Sequence, residues 1–116
     1  MQTARINGAE IEYEVIGDGE PVLFLHGVLL GDSFQPMLAE PGMADSHRCI
    51  TWHRRGYAGS RPGPSSDSVE EAAADARALL EHLGIGRAHV VGHSYGGCVA
   101  LQLALDAPER VHSLAL

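Results

Sequence analysis

The feature that most narrows what this chain can fold into is the run Gly92-His93-Ser94-Tyr95-Gly96-Gly97. An apolar stretch from Ala88 to Val91 precedes it, and an Ala/Leu-rich stretch from Cys98 to Ala107 follows. That order reads strand, sharp turn, helix. The residue at the tip, Ser94, must take a strained backbone conformation, and its hydroxyl then projects from the sheet as a nucleophile. Small residues two before and two after make room for the turn. Gly92 and Gly96 stand there, and Gly97 adds clearance where the helix starts beneath the strand. The helix points its first N–H groups at the same place and favours a developing negative charge. Gly-x-Ser-x-Gly alone arises about 0.1 times by chance in so glycine-rich a chain, so the flanking strand and helix carry the reading.

The rest of the chain alternates in the same way. Residues 3–7 and 10–16 are short β-prone runs joined by Asn7-Gly8, a hairpin signature. Ile11, Tyr13 and Val15 alternate with Glu10, Glu12 and Glu14, as expected for an antiparallel edge with one wet face. Pro21 to Leu25 is continuously apolar, a strand covered on both faces, and it ends at His26-Gly27. Asp32 or Ser33 can cap a short helix from Phe34 to Ala39. Arg48 to Trp52 is a further strand, followed by a loop rich in Gly, Ser and Pro from Arg54 to Ser66. Ser68 and Glu71 form a capping box. They open a helix with an apolar face of Val69, Ala72, Ala73, Ala76, Leu79, Leu80 and Leu83, closed by Gly84. The helix after Ser94 is apolar almost all round, which predicts burial, and Pro108 ends it. Val111 to Leu116 opens a last strand. Strands alternating with helices imply a mostly parallel sheet with helices on both faces and function at the carboxyl ends of the strands. His26-Gly27 and Ser94 both fall at such ends.

A formal net charge of −7, from 8 Arg and no Lys against 15 acidic residues, argues against nucleic acid or an anionic membrane as partner. No apolar run reaches membrane-spanning length. Met1 to Glu14 lacks the apolar core of a signal peptide, so a cytoplasmic location is expected. Cys49 and Cys98 lie in apolar segments and are expected to pack as small buried thiols without a disulfide. No spacing of His, Cys, Asp and Glu suggests a metal site, and the glycine-rich turn lacks the Lys of a phosphate loop. No metal and no cofactor are therefore expected.

Three motifs resemble the N-terminal half of an α/β-hydrolase, and the resemblance covers essentially the whole chain. They are His26-Gly27 after the third strand, Arg55-Gly56-Tyr57-Ala58-Gly59-Ser60 after the fourth, and Gly92 to Gly97. Pro108-Glu109-Arg110-Val111 also looks like the family's run before the sixth strand. Ala58 replaces the usual Gly, and His53 stands where Asp is common. Epoxide-hydrolase and dehalogenase branches often carry Pro soon after His-Gly and use an Asp nucleophile. Val28-Leu29-Leu30 has no Pro, and position 94 is Ser. The resemblance therefore implies a small-molecule acyl substrate: ester, lactone, thioester or carbon–carbon bond hydrolysis, or cofactor-free peroxidase-like acyl chemistry.

By the same resemblance the oxyanion hole uses the backbone N–H groups of Val28 and Tyr95, with Gly27 shaping the loop. The triad's acid and histidine lie after later strands. Residues 1–116 are thus expected to form the amino-terminal part of a single domain, truncated after the sixth strand. Its partner would be the missing carboxyl-terminal half, or another copy at the exposed last strand. The alternative is a non-catalytic fragment or binding scaffold on the same fold. His93 reads as packing, since adjacent side chains diverge on a tight turn, and His26 as a loop-orienting residue. His53, Arg54 and Arg55 bind an anionic group, lie in a solvated loop, or pair internally. His112 lies on the face opposite the site, and Asp106 is a solvated helix-end residue.

Overall fold

The computed structural model describes residues 1–28, 32–61 and 68–116. Leu29 and Leu30, and the part of the Arg54–Ser66 loop beyond Arg61, lie outside the described residues. One sheet of six strands runs in the order β1-β2-β4-β3-β5-β6. The strands are β1 (Gln2–Ile6), β2 (Ala9–Ile16), β3 (Glu20–Leu25), β4 (His47–Trp52), β5 (Ala88–Gly92) and β6 (Val111–Ala115). The β1–β2 and β2–β4 pairs are antiparallel, while β3–β4, β3–β5 and β5–β6 are parallel. Asn7 and Gly8 both adopt left-handed backbone, with φ of 47° and 83°, as the two-residue hairpin turn requires. The edge is β1 rather than β2. Glu12 and Glu14 are accordingly half-buried rather than fully wet.

The chain leaves β3 for β4 on one side and returns to β5 on the other. That reversal is the topological switch point, where the crevice outside the strand ends opens. Side chains alternate along β3 as the pleat dictates. Leu23 and Leu25 pack with Leu79 and Leu80 of α3 (Val69–His82) and Val99 and Leu103 of α4 (Tyr95–Asp106). Val22 and Phe24 pack on the opposite face with Cys49, Phe34 and Leu38, the last of these in α1 (Gln35–Leu38). Burial on both faces is what the unbroken apolar run predicts. The α1 N-cap is Phe34, with no side-chain cap, so neither Asp32 nor Ser33 serves. The one-turn α2 (Met43–Ser46) carries no periodicity a sequence could reveal.

Ser68 caps α3 by accepting the Glu71 N–H at 3.0 Å. The Glu71 carboxylate lies 3.8 Å from Arg55 Nε. Gly84 follows the helix with φ of 71°. In the middle of the buried face sits Asp75, which apolar periodicity does not foretell. It is 1% exposed and holds Arg55 through two bonds, Nε to Oδ2 at 2.7 Å and Nη2 to Oδ1 at 3.1 Å. Arg55 also donates to the Asn7 carbonyl at 2.8 Å, and Asn7 Nδ2 donates to Asp75 at 3.1 Å. One buried pair thus ties the loop after β4 to α3 and to the β1–β2 turn.

Two expectations are corrected. The helix after Ser94 is not buried all round. Gly96, Gly97, Val99, Ala100 and Leu103 face the core, but Leu101 is 47% and Leu105 78% exposed. Leu114 and Leu116 are also exposed. Apolar composition shows that a surface favours cover; it does not supply the cover. For the same reason Cys98 is exposed, while Cys49 is buried, and both are free. Among the described residues no helix is long and apolar enough to cross a membrane.

Removing one partner of a buried ion pair strands the other charge. Asp75→Ala is therefore expected to lower unfolding free energy by about 3–5 kcal/mol, read from urea denaturation. A loss under 1 kcal/mol would mean that the pair does not hold the loop.

Candidate active site

Ser94 stands between β5 and α4 with φ 55° and ψ −119°. A non-glycine residue there carries strain of about 1–3 kcal/mol, sustained only when the surroundings fix it. Three backbone bonds do so. His93 N–H donates to the Leu25 carbonyl at 3.1 Å, Gly96 N–H to the His93 carbonyl at 2.9 Å and Gly97 N–H to the Ser94 carbonyl at 2.8 Å. The first ties the turn to the end of β3, where Leu25 pairs with Gly92.

The glycines of this turn have unequal roles. A Cβ on Gly96 would overlap the Leu25 carbonyl. One on Gly92 would come within 2.5 Å of the Gly96 carbonyl oxygen. At Gly27 it would press on His93 at 3.2 Å and on the Ser94 Cβ at 3.4 Å. Gly27 therefore lets the loop after β3 lie against the elbow. Gly97 differs: a Cβ there meets nothing nearer than the Gly92 carbonyl oxygen, at 3.8 Å. Clearance at residue 97 is not what the turn depends on.

Beneath the loop after β3 lies a buried polar frame. His26 is 1% exposed. Its Nε2 accepts the Arg54 N–H at 3.0 Å, which leaves Nδ1–H to donate to the Gly27 carbonyl at 2.7 Å. Burial pushes its pKa down to about 4, so the ring is neutral and its tautomer set. Arg54 Nη2 donates to the same Gly27 carbonyl at 3.1 Å. The buried guanidinium also lies 4.6 Å from the Tyr95 ring centroid and 5.0 Å from that of Tyr57. Among the described residues no carboxylate pairs with it; the two aromatic faces take that place.

His53 is buried between two carboxylates, with Nδ1 2.6 Å from Glu12 and Nε2 2.7 Å from Asp32. Of the readings left open for His53, Arg54 and Arg55, internal pairing is the one observed for His53 and Arg55, while Arg54 is held by the Gly27 carbonyl and two tyrosine rings. Glu12 also accepts the Gly59 N–H at 3.0 Å. Ala58, where glycine is usual, has φ of 46°, which accounts for that usual glycine.

Sequence reasoning placed Ser94, Gly27, Gly92 and Gly96 together, and the fold does so. Val28, next to Gly27, is exposed, and Tyr95, next to Ser94, is half-buried. His93 is exposed rather than packed, because the turn carries it outward. His26 and His53 are both fully engaged in fixed bonds and cannot serve as a base. His112 is the second residue of β6 (Val111–Ala115), at the amino ends of the strands, the pole opposite Ser94. Arg54 and Asp75 were missed as members of the frame. Three consecutive basic side chains directly after a strand were the available signal. Glu20, His89 and His112 also come together, a grouping that no sequence spacing suggests. They are 23 to 92 residues apart in sequence, so no motif joins them.

The sequence pattern of the alpha/beta hydrolase fold family matches residues 20–116. A dihydrolipoyllysine-residue acetyltransferase component of an acetoin cleaving system, from Cupriavidus necator, is 38% identical over 116 residues, spanning 99% of this chain and 31% of the relative. The thermophilic esterase from Thermogutta terrifontis superimposes with a TM-score of 0.90 at 30% identity, over 98% of this chain and 44% of that one. Est816, an N-acyl homoserine lactone degrading enzyme, superimposes at 0.87 and 32% identity, over 97% and 43%. The chain thus spans about a third to under a half of the relatives it matches.

Two outcomes follow from this geometry. Gly96→Ala should cost about 3 kcal/mol or more through backbone overlap, whereas Gly97→Ala should be neutral or stabilising by up to about 1 kcal/mol, since alanine suits a helix better. Equal losses in chemical denaturation would show that the crowding is not specific to residue 96. The second concerns acid. Native His26 stays neutral down to about pH 4, while the unfolded chain takes up its proton near 6.5. The unfolded state then binds more protons, so stability falls as pH drops from 6.5 towards 4, by up to about 3 kcal/mol. His26→Asn should flatten that slope. An unchanged slope would mean that His26 is protonated in the fold.

Proposed function

This chain belongs to the α/β-hydrolase fold family, and from that premise we propose that it carries the nucleophile and oxyanion half of a serine hydrolase. The observation that carries the reading is the strained Ser94 at the amino terminus of α4, at the sheet's switch point and against Gly27. Ser94 Oγ attacks the carbonyl carbon of an ester, lactone, thioester or related acyl substrate. The carbonyl π pair moves to oxygen, and collapse of the tetrahedral centre expels the leaving group and leaves an acyl-enzyme. Water then releases the acid and restores Ser94. The base that takes the Ser94 proton, and the acid that orients that base, come in this reading from chain beyond Leu116.

The oxyanion is received by the N–H groups of Val28 and Tyr95. One such donor is worth a few kcal/mol of barrier. The peptide between Gly27 and Val28 is planar, with its N–H directed opposite to its carbonyl. The His26 and Arg54 bonds to the Gly27 oxygen therefore aim the Val28 N–H. Arg54 touches the Tyr95 ring as well, so one cation braces the supports of both donors and adds a positive charge near the developing anion. The exposed face of α4 and β6, with Leu101, Leu105 and Leu114, is where the remainder of the domain packs. In its absence a second copy would pair with β6.

The test uses the protein with whatever coding sequence continues past Leu116. Treated with a fluorophosphonate probe, it should carry one adduct, mapped by mass spectrometry to Ser94, and Ser94→Ala should carry none. Labelling that persists in that variant would overturn the assignment. A folded, full-length protein that resists the probe and turns over no nitrophenyl ester would favour a non-catalytic scaffold.

A further inference from the structure

At the amino ends of the strands, opposite Ser94, three side chains meet that the hydrolytic reading does not use. Glu20 opens β3, and His89 and His112 each lie one residue into β5 and β6. His89 Nε2 is 2.8 Å from Glu20 Oε2, and its Nδ1 is 2.6 Å from Ser113 Oγ. The His89 and His112 rings meet edge to face with centroids 4.5 Å apart. One ligand atom from each of Glu20, His89 and His112 lies within 4.8 Å of the other two. They front an open recess of about 260 Å³.

The strand geometry here is irregular in an informative way. Ala88 pairs with Val111 but His89 pairs with Ser113, so His112 is an extra residue in β6. In a regular strand, neighbours 112 and 113 would point to opposite faces. The bulge lets both reach His89, and re-aiming a side chain is a recurrent use of such bulges.

We propose that Glu20, His89 and His112 form a binding site for a divalent transition-metal ion of the zinc class. Two imidazoles and one carboxylate suit a borderline cation, whereas magnesium and calcium favour oxygen ligands throughout. Around tetrahedral zinc, ligand atoms stand about 3.3 Å apart, following from bonds of about 2.0–2.2 Å. The pair of Glu20 and His89 opens slightly and His112 closes inward to reach that spacing. Glu20 and His112 are exposed and His89 half-buried, so rotations suffice. Ser113 supplies the outer partner: in the ion-free cluster Glu20 accepts from His89 Nε2–H, and when the ion displaces that proton the Ser113 hydroxyl, 2.6 Å from Nδ1, accepts from Nδ1–H and leaves Nε2 to bind the ion. Without an ion the cluster is a surface ion pair of small worth. Three protein ligands leave a coordination position open to water.

The test uses untagged protein, with any coding sequence beyond Leu116, stripped with EDTA and titrated calorimetrically with ZnCl2 and, separately, MgCl2. One Zn(II) per chain should bind in the micromolar range or tighter, with no heat from magnesium and a rise in Tm under zinc. Cobalt(II) should give the visible absorption of a low-coordinate site. Glu20→Gln and His112→Ala should each weaken zinc at least about 10-fold and Ser113→Ala about 10-fold. Circular dichroism should be unchanged, since the positions lie on the rim. Saturable binding that survives in the His89→Ala/His112→Ala double variant, or no zinc binding by the folded wild type, would overturn the proposal. Because the cluster lies at the pole opposite Ser94, fluorophosphonate labelling should be the same in every variant.

Discussion

The rest of the molecule depends on a backbone contact that no side chain could make: Gly96, at the start of α4, set against the carbonyl of Leu25 at the end of β3. That approach lets α4 begin directly under the sheet. It forces Ser94 into its left-handed conformation, and it brings Gly27 alongside through the His93–Leu25 bond. Widening it by one methyl group would move the helix, release the strain on Ser94 and separate the two loops. The apolar contacts of Leu23, Leu25, Val99 and Leu103 supply most of the cohesion, but they are non-directional. The position of Ser94 comes from hydrogen bonds and from the absence of Cβ atoms.

A second layer of order comes from charge. The described part of the loop after β4, residues 53–61, has few apolar residues to bury, yet it is held by Arg55 on Asp75, by His53 between Glu12 and Asp32, and by Ser60 Oγ, which accepts the Glu12 N–H and donates to the His53 carbonyl. A buried pair such as Arg55–Asp75 adds little net stability over an apolar core, because desolvation offsets attraction. What they contribute here is direction. Arg54, set between these pairs, reaches the Gly27 carbonyl and two tyrosine rings. The backbone beside Ser94 thereby inherits the rigidity of a frame centred on the neighbouring strand.

The two poles of the sheet have different characters. At the carboxyl ends, where the strand order reverses between β4 and β5, Ser94 and Gly27 meet above the buried His26 and Arg54. At the amino ends, parallel strands start side by side, so residues far apart in sequence become neighbours. Glu20, His89 and His112 meet for that reason, helped by one extra residue in β6.

Much of this was legible in the sequence. The Gly-x-Ser-x-Gly spacing between a strand and a helix determined Ser94 and the glycines around it, because local sterics admit few other turns. The unbroken apolar run of Pro21 to Leu25 marked the doubly covered strand, Asn7-Gly8 the hairpin, and Ser68 with Gly84 the limits of α3. All are short-range consequences of backbone and side-chain shape. What only the tertiary structure decided is long-range. Asp75 looks like a flaw in an apolar helix face until Arg55 arrives from another loop. His53, Arg54 and Arg55 look like a solvent-facing basic patch until the fold buries them against carboxylates and rings. Cys98, Leu101 and Leu105 look buried by composition, yet they stand exposed, because burial depends on what packs against a surface and not on how apolar it is. The cluster at the amino pole has no sequence signature at all. Strand order and a bulge create it, and neither is encoded in any local pattern.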